Sequence, residues 1–147
     1  MLIALIIFLI NGRPTNSQYY PPGTLTIDGF SVECHVIGSI VSTQIPGIAF
    51  FDSTGPAILL NPMYFFELPT QVKIFVYAHE CGHSVIGANE SAADCFAVKL
   101  GRDEGWLDHQ GLQFSLQYLS TSIGDRWTGH LPGPLRVQNA LQCFFQP

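Results

Sequence analysis

The stretch that decides the fold is residues 70–100, which read TQVKIFVYAHECGHSVIGANESAADCFAVKL. Apolar residues recur at the three- and four-residue intervals of an α-helix over residues 69–85, with a proline in the first turn. Gly87 marks the end of this helix, and a second helix is predicted over residues 90–100, ended by Gly101. The stretch therefore predicts two consecutive helices joined by a very short turn.

The chain on the N-terminal side of this stretch has the texture of a β-sheet. β-branched and aromatic residues are frequent between residues 24 and 60, where the runs 48–51 and 57–60 are separated by the strong turn signal DSTGP. We interpret these two runs as a hairpin. A small antiparallel sheet is therefore predicted ahead of the helices.

Two further helices are predicted on the C-terminal side, over residues 107–119 and 135–145, from apolar residues at helical spacing. Strands followed by helices make an α+β domain. Residues 14–23 are rich in Pro, Asn, Ser and Tyr and are interpreted as irregular. The expected organisation is an apolar N-terminus with its linker over residues 1–23 and a single domain over residues 24–147.

Composition excludes several classes of protein. The chain has 147 residues, of which 47% are apolar and 12% charged, so an extended disordered chain is excluded. The formal net charge of -5 argues against nucleic acid or an anionic membrane surface as the main partner. Because the sequence has no run of eighteen apolar residues, we expect no multi-span membrane region.

The N-terminus and the cysteines bear on location. Residues 1–10 resemble the apolar core of a secretory signal, although no Lys or Arg precedes them, and a buried N-terminal strand is the alternative. Four cysteines in a small domain favour disulfides, with Cys95–Cys143 preferred among three possible pairings because both lie on C-terminal helices. We predict a secreted or periplasmic protein and keep a cytoplasmic location as the alternative.

The candidate chemistry lies in His79-Glu80-Cys81-Gly82-His83, an H-E-x-x-H pattern. Five His and five Glu in 147 positions give about 0.006 expected occurrences by chance. Positions four apart on a helix project to one side, so both imidazoles can bind one zinc ion. The carboxylate of Glu80 lies about 100° further round the helix, where it can accept a proton from water rather than bind the metal.

A third ligand is expected from the next helix. A metzincin would have a further Gly and His where this chain has Ile86 and Asn89, so that class is excluded. Glu90 and Asp94 are four apart and share a helix face. Glu90 can bind the metal while Asp94 accepts a hydrogen bond from a ligand imidazole; acidic residues at a capped helix start are the alternative interpretation.

These residues resemble the gluzincin zinc peptidases, in which H-E-x-x-H is followed by a helix of the E-x-x-A-D type. The segments HECGH and ADCFA are similar to the bacterial neutral zinc metallopeptidases. Residues 128–136, TGHLPGPLR, are similar to a T-H-P-P…R segment of the CAAX-prenyl and heat-shock membrane peptidases. The resemblance covers about half of the chain and implies a minimal zincin-like helical core. Only seven positions separate His83 from Glu90, so a tight turn at Gly87 is needed.

The resemblance implies a role for each matching residue. His79, His83 and Glu90 would bind Zn²⁺, Glu80 would be the general base, and Asp94 would support a ligand. Two further residues complete the expected set. His130 matches a histidine near the catalytic centre. Arg136 can pair with Asp94 or Asp125, or it can polarise a substrate carbonyl.

The expected function is hydrolysis of peptide bonds in a peptide or protein substrate. The alternative is a non-catalytic zinc-binding domain with a structural or partner-binding role, which would use the same ligands but would not require Glu80. The sequence leaves specificity and oligomeric state open.

Overall fold

The computed structural model describes residues 17–32, 34, 37–55, 57–127 and 129–147. Strands precede helices along this part of the chain, so the predicted α+β class is confirmed. The apolar segment of residues 1–10, interpreted above as a possible secretory signal, lies outside the described residues. The elements in chain order are β1 (Gln18–Tyr20), β2 (Thr26–Ile27), β3 (Phe30–Ser31), β4 (Gly38–Val41), β5 (Ala49–Asp52), β6 (Ala57–Leu60), α1 (Pro62–Phe65), α2 (Thr70–Ile86), α3 (Glu90–Glu104), α4 (His109–Ser120) and α5 (Gly133–Phe145).

Four of the strands form one sheet in the order β1-β4-β6-β5. The predicted hairpin is confirmed, because β5 and β6 pair antiparallel with Phe50 opposite Leu59. The expectation of a wholly antiparallel sheet was wrong: β4 and β6 run parallel, with Gly38 opposite Ala57. The reason is that β5 lies at the edge of the sheet and β6 inserts between β5 and β4. Strand β6 reverses direction after β5 and therefore runs in the same direction as β4.

Two local features of the N-terminal half differ from the sequence-based interpretation. Residues 18–20 were assigned to an irregular linker, yet they form β1, which pairs antiparallel with β4. Strands β2 and β3 form a separate small hairpin whose turn is Asp28-Gly29. Both turn residues have positive φ, 50° and 87°, as the two-residue turns that match strand twist require.

Helix α3 is longer than predicted. It continues past Gly101 to Glu104, and Gly105 in the left-handed conformation ends it. Gly101 lies buried inside the helix because Trp106 and Leu107 fold back on it, where a Cβ atom would come within 2.6 Å of both side chains. This glycine is therefore explained by close packing and not by a helix end.

Helix α2 is the centre of the molecule and packs against α3, α4 and the sheet. Near its N-terminal end the buried Lys73 pairs with Asp28, with 2.5 Å between Nζ and Oδ2. Thr70 donates to the same oxygen at 2.6 Å. This pair joins the first turn of α2 to the β2–β3 hairpin.

One disulfide ties the segment between β3 and β4 to helix α2, and a second joins helices α3 and α5. Cys34 is bonded to Cys81 in the middle of α2, and Cys95 of α3 is bonded to Cys143 of α5. The preferred pairing of Cys95 with Cys143 is confirmed. Disulfides of this kind are typical of oxidising compartments. Among the described residues, none of the helices combines the length and the apolar character needed to cross a membrane.

Candidate metal centre

Helix α2 places His79 and His83 on the same face, with 3.2 Å between their Nε2 atoms. Both side chains are buried. The Nδ1 atom of His83 lies 2.8 Å from the carbonyl oxygen of Gly87 and donates to it, because a carbonyl can only accept. In the neutral ring that hydrogen bond leaves Nε2 unprotonated, so Nε2 is the nitrogen that can bind a metal ion.

A tight turn brings helix α3 against this face. Gly87 has a φ of 80°, and its N–H donates to the carbonyl oxygen of His83 at 3.0 Å. A Cβ atom at Gly82 would lie 3.2–3.3 Å from Ala93 and Phe96 of α3, so the two helices approach as closely as small residues allow. The short connection that the sequence required is therefore present.

The close approach puts Glu90 at the two imidazoles. Its Oε2 atom is 3.0 Å from Nε2 of His79 and 3.4 Å from Nε2 of His83. Two ligand atoms of a tetrahedral zinc ion with bonds of 2.0–2.1 Å lie about 3.3–3.4 Å apart. The three atoms thus have nearly the mutual spacing of ligands around one ion.

Asp94, one turn further along α3, holds the back of the His79 ring. Its Oδ1 atom is 2.8 Å from Nδ1 of His79. Arg136 of α5 grips the same carboxylate with two hydrogen bonds, Nε to Oδ2 at 2.8 Å and Nη2 to Oδ1 at 2.6 Å. Of the two partners considered from the sequence, Asp94 and Asp125, Arg136 binds Asp94. All three side chains are buried, so the chain Arg136–Asp94–His79 fixes the ring orientation of His79.

His130 reaches the same cluster from the loop between α4 and α5. Its Nε2 atom is 2.9 Å from Oε2 of Glu90, and its ring stacks on that of His79 with centroids 5.8 Å apart. The ligand atoms of His79, Glu90 and His130 all lie within 4.8 Å of one another, so this group can hold a metal ion. Two overlapping triads therefore share His79 and Glu90, one completed by His83 and the other by His130.

The pKa values reflect this crowding. Burial by itself would lower the pKa of His79, but the carboxylates of Asp94 and Glu90 raise it to about 9. Burial would raise the pKa of Glu90, but hydrogen bonds from His130, His79 and His83 hold it far below the ordinary range. A metal ion would replace the imidazole protons, because ligand nitrogens must be deprotonated.

Glu80 faces the sheet rather than the ligand atoms. Burial is the largest influence on its carboxylate and raises its pKa, while the backbone N–H of Phe51 hydrogen-bonds to it. A raised pKa moves a carboxyl group toward the neutral range, in which proton exchange with a substrate is efficient. Glu80 is thus adjacent to the cluster without being one of its converging oxygens.

Two cavities of about 420 Å³ each open on either side of the cluster. Ala49, Glu80 and His130 line both, so the two cavities form one cleft that crosses the site beneath strand β5. A larger cavity of about 600 Å³ lies elsewhere, between the end of α3 and the C-terminus, and contains none of these residues. We call the first pair the site cleft.

The structure brings all seven residues singled out from the sequence into one cluster: His79, Glu80, His83, Glu90, Asp94, His130 and Arg136. What the sequence missed is the contribution of backbone groups. The N–H of Phe51 and the carbonyl of Gly87 both contact site side chains, and a backbone group leaves no signature in residue type.

Comparison with protein families, with curated proteins and with solved structures finds no match. The functional argument therefore rests on the geometry of the cluster and on its residue types.

Proposed function

We propose that this chain is a zinc-dependent peptidase of the gluzincin type, with His79, His83 and Glu90 as zinc ligands and Glu80 as general base. The observation that carries the proposal is the convergence of two Nε2 atoms and one carboxylate oxygen at 3.0–3.4 Å, beside a second carboxylate, that of Glu80, in a cleft. Two imidazoles and a carboxylate are the donor set of many catalytic zinc sites.

The residues around the ligands support hydrolysis. A bound zinc ion would polarise the scissile carbonyl and lower the pKa of the attacking water. Glu80, which lines both halves of the site cleft, would accept a proton from the attacking water and deliver it to the leaving amine. His130, and after it Arg136, are the candidates to donate a hydrogen bond to the developing oxyanion. His130 is the stronger candidate, because it lines both cavities of the site cleft and is more exposed than Arg136, which is buried with two donor groups on Asp94.

The edge of the sheet offers a binding strand for the substrate. The N–H of Asn61 donates to the carbonyl of Ile48 at 2.9 Å, so alternate residues from Ile48 onward point their backbone groups at β6. Ala49 and Phe51 then point theirs away from β6, toward the cleft that they line. Because the N–H of Phe51 donates to Glu80, the groups offered to a peptide are the N–H and carbonyl of Ala49 and the carbonyl of Phe51. An extended peptide can pair with this edge and lie across the ligand cluster. A peptide or protein substrate is therefore proposed.

A second candidate function is a non-catalytic zinc-binding domain with a structural or partner-binding role. The observation that favours it is the short distance from His130 Nε2 to Glu90 Oε2, because His130 offers the fourth protein ligand that structural zinc sites have. The two candidates differ in their need for Glu80. For either function, the disulfides and the apolar N-terminus support a secreted or periplasmic location.

The test is digestion of a proteome-derived peptide library by the wild type, Glu80→Gln and Glu67→Gln. Glu67 is exposed and lies outside the cleft, so its variant makes the same chemical change away from the site. We expect Glu80→Gln to lose at least roughly 10²–10⁴ in rate with zinc content near that of the wild type. Glu67→Gln should match the wild type. Full activity in Glu80→Gln would end the peptidase proposal, and no activity in zinc-loaded wild type would favour the binding domain.

A further inference from the structure

The cluster contains four candidate protein ligands, one more than the three that a catalytic zinc site uses. Oε2 of Glu90 is surrounded by three imidazole nitrogens, at 2.9 Å from His130, 3.0 Å from His79 and 3.4 Å from His83. His130 is thus as close to the shared carboxylate oxygen as the two motif histidines are. Catalytic zinc sites keep a coordination position open, whereas four protein ligands close the site.

The loop between α4 and α5, residues 121–132, places His130 by its own backbone. The N–H of Asp125 donates to the carbonyl of His130 at 3.0 Å, and the N–H of Gly129 donates to that of Asp125 at 2.9 Å. Gly129 has a φ of 80°, and a Cβ atom there would lie 3.5 Å from Cγ of Glu90. The position of His130 beside Glu90 is therefore built into the loop.

The same loop has few apolar contacts with the core. Ile123 and Trp127 are its largest apolar side chains, and they are 91% and 97% exposed. The His130 side chain is 30% exposed, against 5% for His79. Segments held by few buried apolar contacts open at low free-energy cost. Of the three imidazoles, that of His130 is the one that can leave.

We propose that, in the zinc-loaded protein without substrate, Nε2 of His130 is a fourth protein ligand beside His79, His83 and Glu90. The site is closed in this resting state, and an arriving peptide carbonyl takes the place of His130. The displaced imidazole stays next to that carbonyl oxygen, where an oxyanion donor is required. The inference rests on the zinc site proposed above and adds a latent state to it.

The first test measures zinc affinity by competition with a chelator for the wild type, His130→Ala, His130→Gln and His109→Ala. A glutamine amide can still donate a hydrogen bond to Glu90 but is a poor zinc ligand, and His109 lies on α4 against Phe144 and Phe145. A ligand should matter at least as much as the groups that orient ligands, so both His130 variants should bind zinc at least about tenfold more weakly. His109→Ala should bind as the wild type does. Wild-type affinity in His130→Gln would overturn the proposal.

The second test has two parts, of which the first, X-ray absorption, uses the wild type alone and does not depend on a variant that folds. X-ray absorption of the zinc-loaded wild type should count three imidazoles, and a count of two would overturn the proposal. In cobalt-substituted protein, azide should change the visible absorption of His130→Ala at concentrations that leave the wild-type spectrum unchanged. An equal azide response in both proteins would contradict a closed resting site.

These results separate the inference from the function. Three imidazoles without any peptidase activity would leave the fourth ligand in place and favour a structural zinc site. Two imidazoles with Glu80-dependent activity would remove the latent state and keep the peptidase.

Discussion

Each end of helix α2 buries charged side chains, but the two ends differ in how many charged and polar groups meet there. At the N-terminal end a single ammonium, that of Lys73, meets the carboxylate of Asp28. At the C-terminal end the site cluster gathers three imidazoles, two carboxylates and a guanidinium within a few ångströms, with the carboxylate of Glu80 adjacent. Burying polar groups without matched partners disfavours folding. The first end is explained by stability alone, whereas the second holds more converging groups than a helix packing contact needs.

The largest effect on this end of α2 is expected from removing one of the two motif imidazoles. We expect one zinc per chain in the wild type and none in His79→Ala or His83→Ala, because each removes a ligand that helix geometry places. Zinc at about 1,000 times its dissociation constant stabilises the folded state by about 4 kcal/mol. Metal analysis and thermal melting with and without chelator measure both effects. A metal-free wild type whose melting is unchanged by chelation would contradict the prediction.

A smaller change distinguishes the two acidic residues of α3. Glu90→Gln should weaken zinc binding strongly, and excess zinc should restore part of the activity. Asp94→Asn should lose about 10–100-fold in affinity or activity, as is typical of groups that orient a ligand. Zinc content and peptidase rate are measured at several zinc concentrations. Zinc rescue of Asp94→Asn together with an unaffected Glu90→Gln would make Asp94 the ligand.

Arg136 is expected to affect zinc binding indirectly, because it holds Asp94, which orients His79. Arg136→Lys keeps the positive charge near Asp94 but loses the fork that makes two parallel hydrogen bonds. Zinc affinity should therefore fall by less than in Asp94→Asn. The same chelator competition measures it, with Arg102→Lys, near the C-terminal end of α3, as the control. A loss larger than that of Asp94→Asn would mean that Arg136 contacts the metal site by another route.

The smallest effect is expected at the opposite end of α2. Asp28→Asn keeps a residue type that tolerates positive φ, so it preserves the turn and removes only the charge. Hydrogen bonds from Lys73 and Thr70 lower the pKa of Asp28 in the folded protein. A lowered pKa stabilises the fold above the unfolded pKa of about 3.9 and ceases to do so as pH falls through the folded value.

Asp28→Asn should therefore melt a few degrees below the wild type at pH 7. The difference should shrink as the pH falls below about 4. Melting curves across this pH range measure it, and zinc affinity at pH 7 should equal that of the wild type. A change in zinc affinity would show that the two ends of α2 are coupled.

Features that depend on residues close in sequence could be predicted, whereas features that depend on long-range packing could not. Ligand candidates were predictable because the motif and the residues of the next helix are close in sequence and obey helical periodicity. Strand β1 was missed because three residues carry little pattern, and their pairing with β4 is a long-range choice. Gly101 was misjudged because a packing glycine and a terminating glycine are the same residue. The mixed sheet could not be predicted, since the side of β6 on which β5 folds is decided by tertiary packing.

The disulfide at Cys81 has a consequence for metal choice. It occupies a variable position of the H-E-x-x-H motif, and the other three cysteines are also oxidised. A metal ion bound at this cluster would consequently have imidazole and carboxylate donors and no thiolate. Such donors favour borderline and harder divalent ions over soft Cu(I). These donors also contain no sulfur that peroxide could oxidise. A thiolate ligand outside a reducing compartment would be oxidised stepwise to sulfenic and then sulfinic acid.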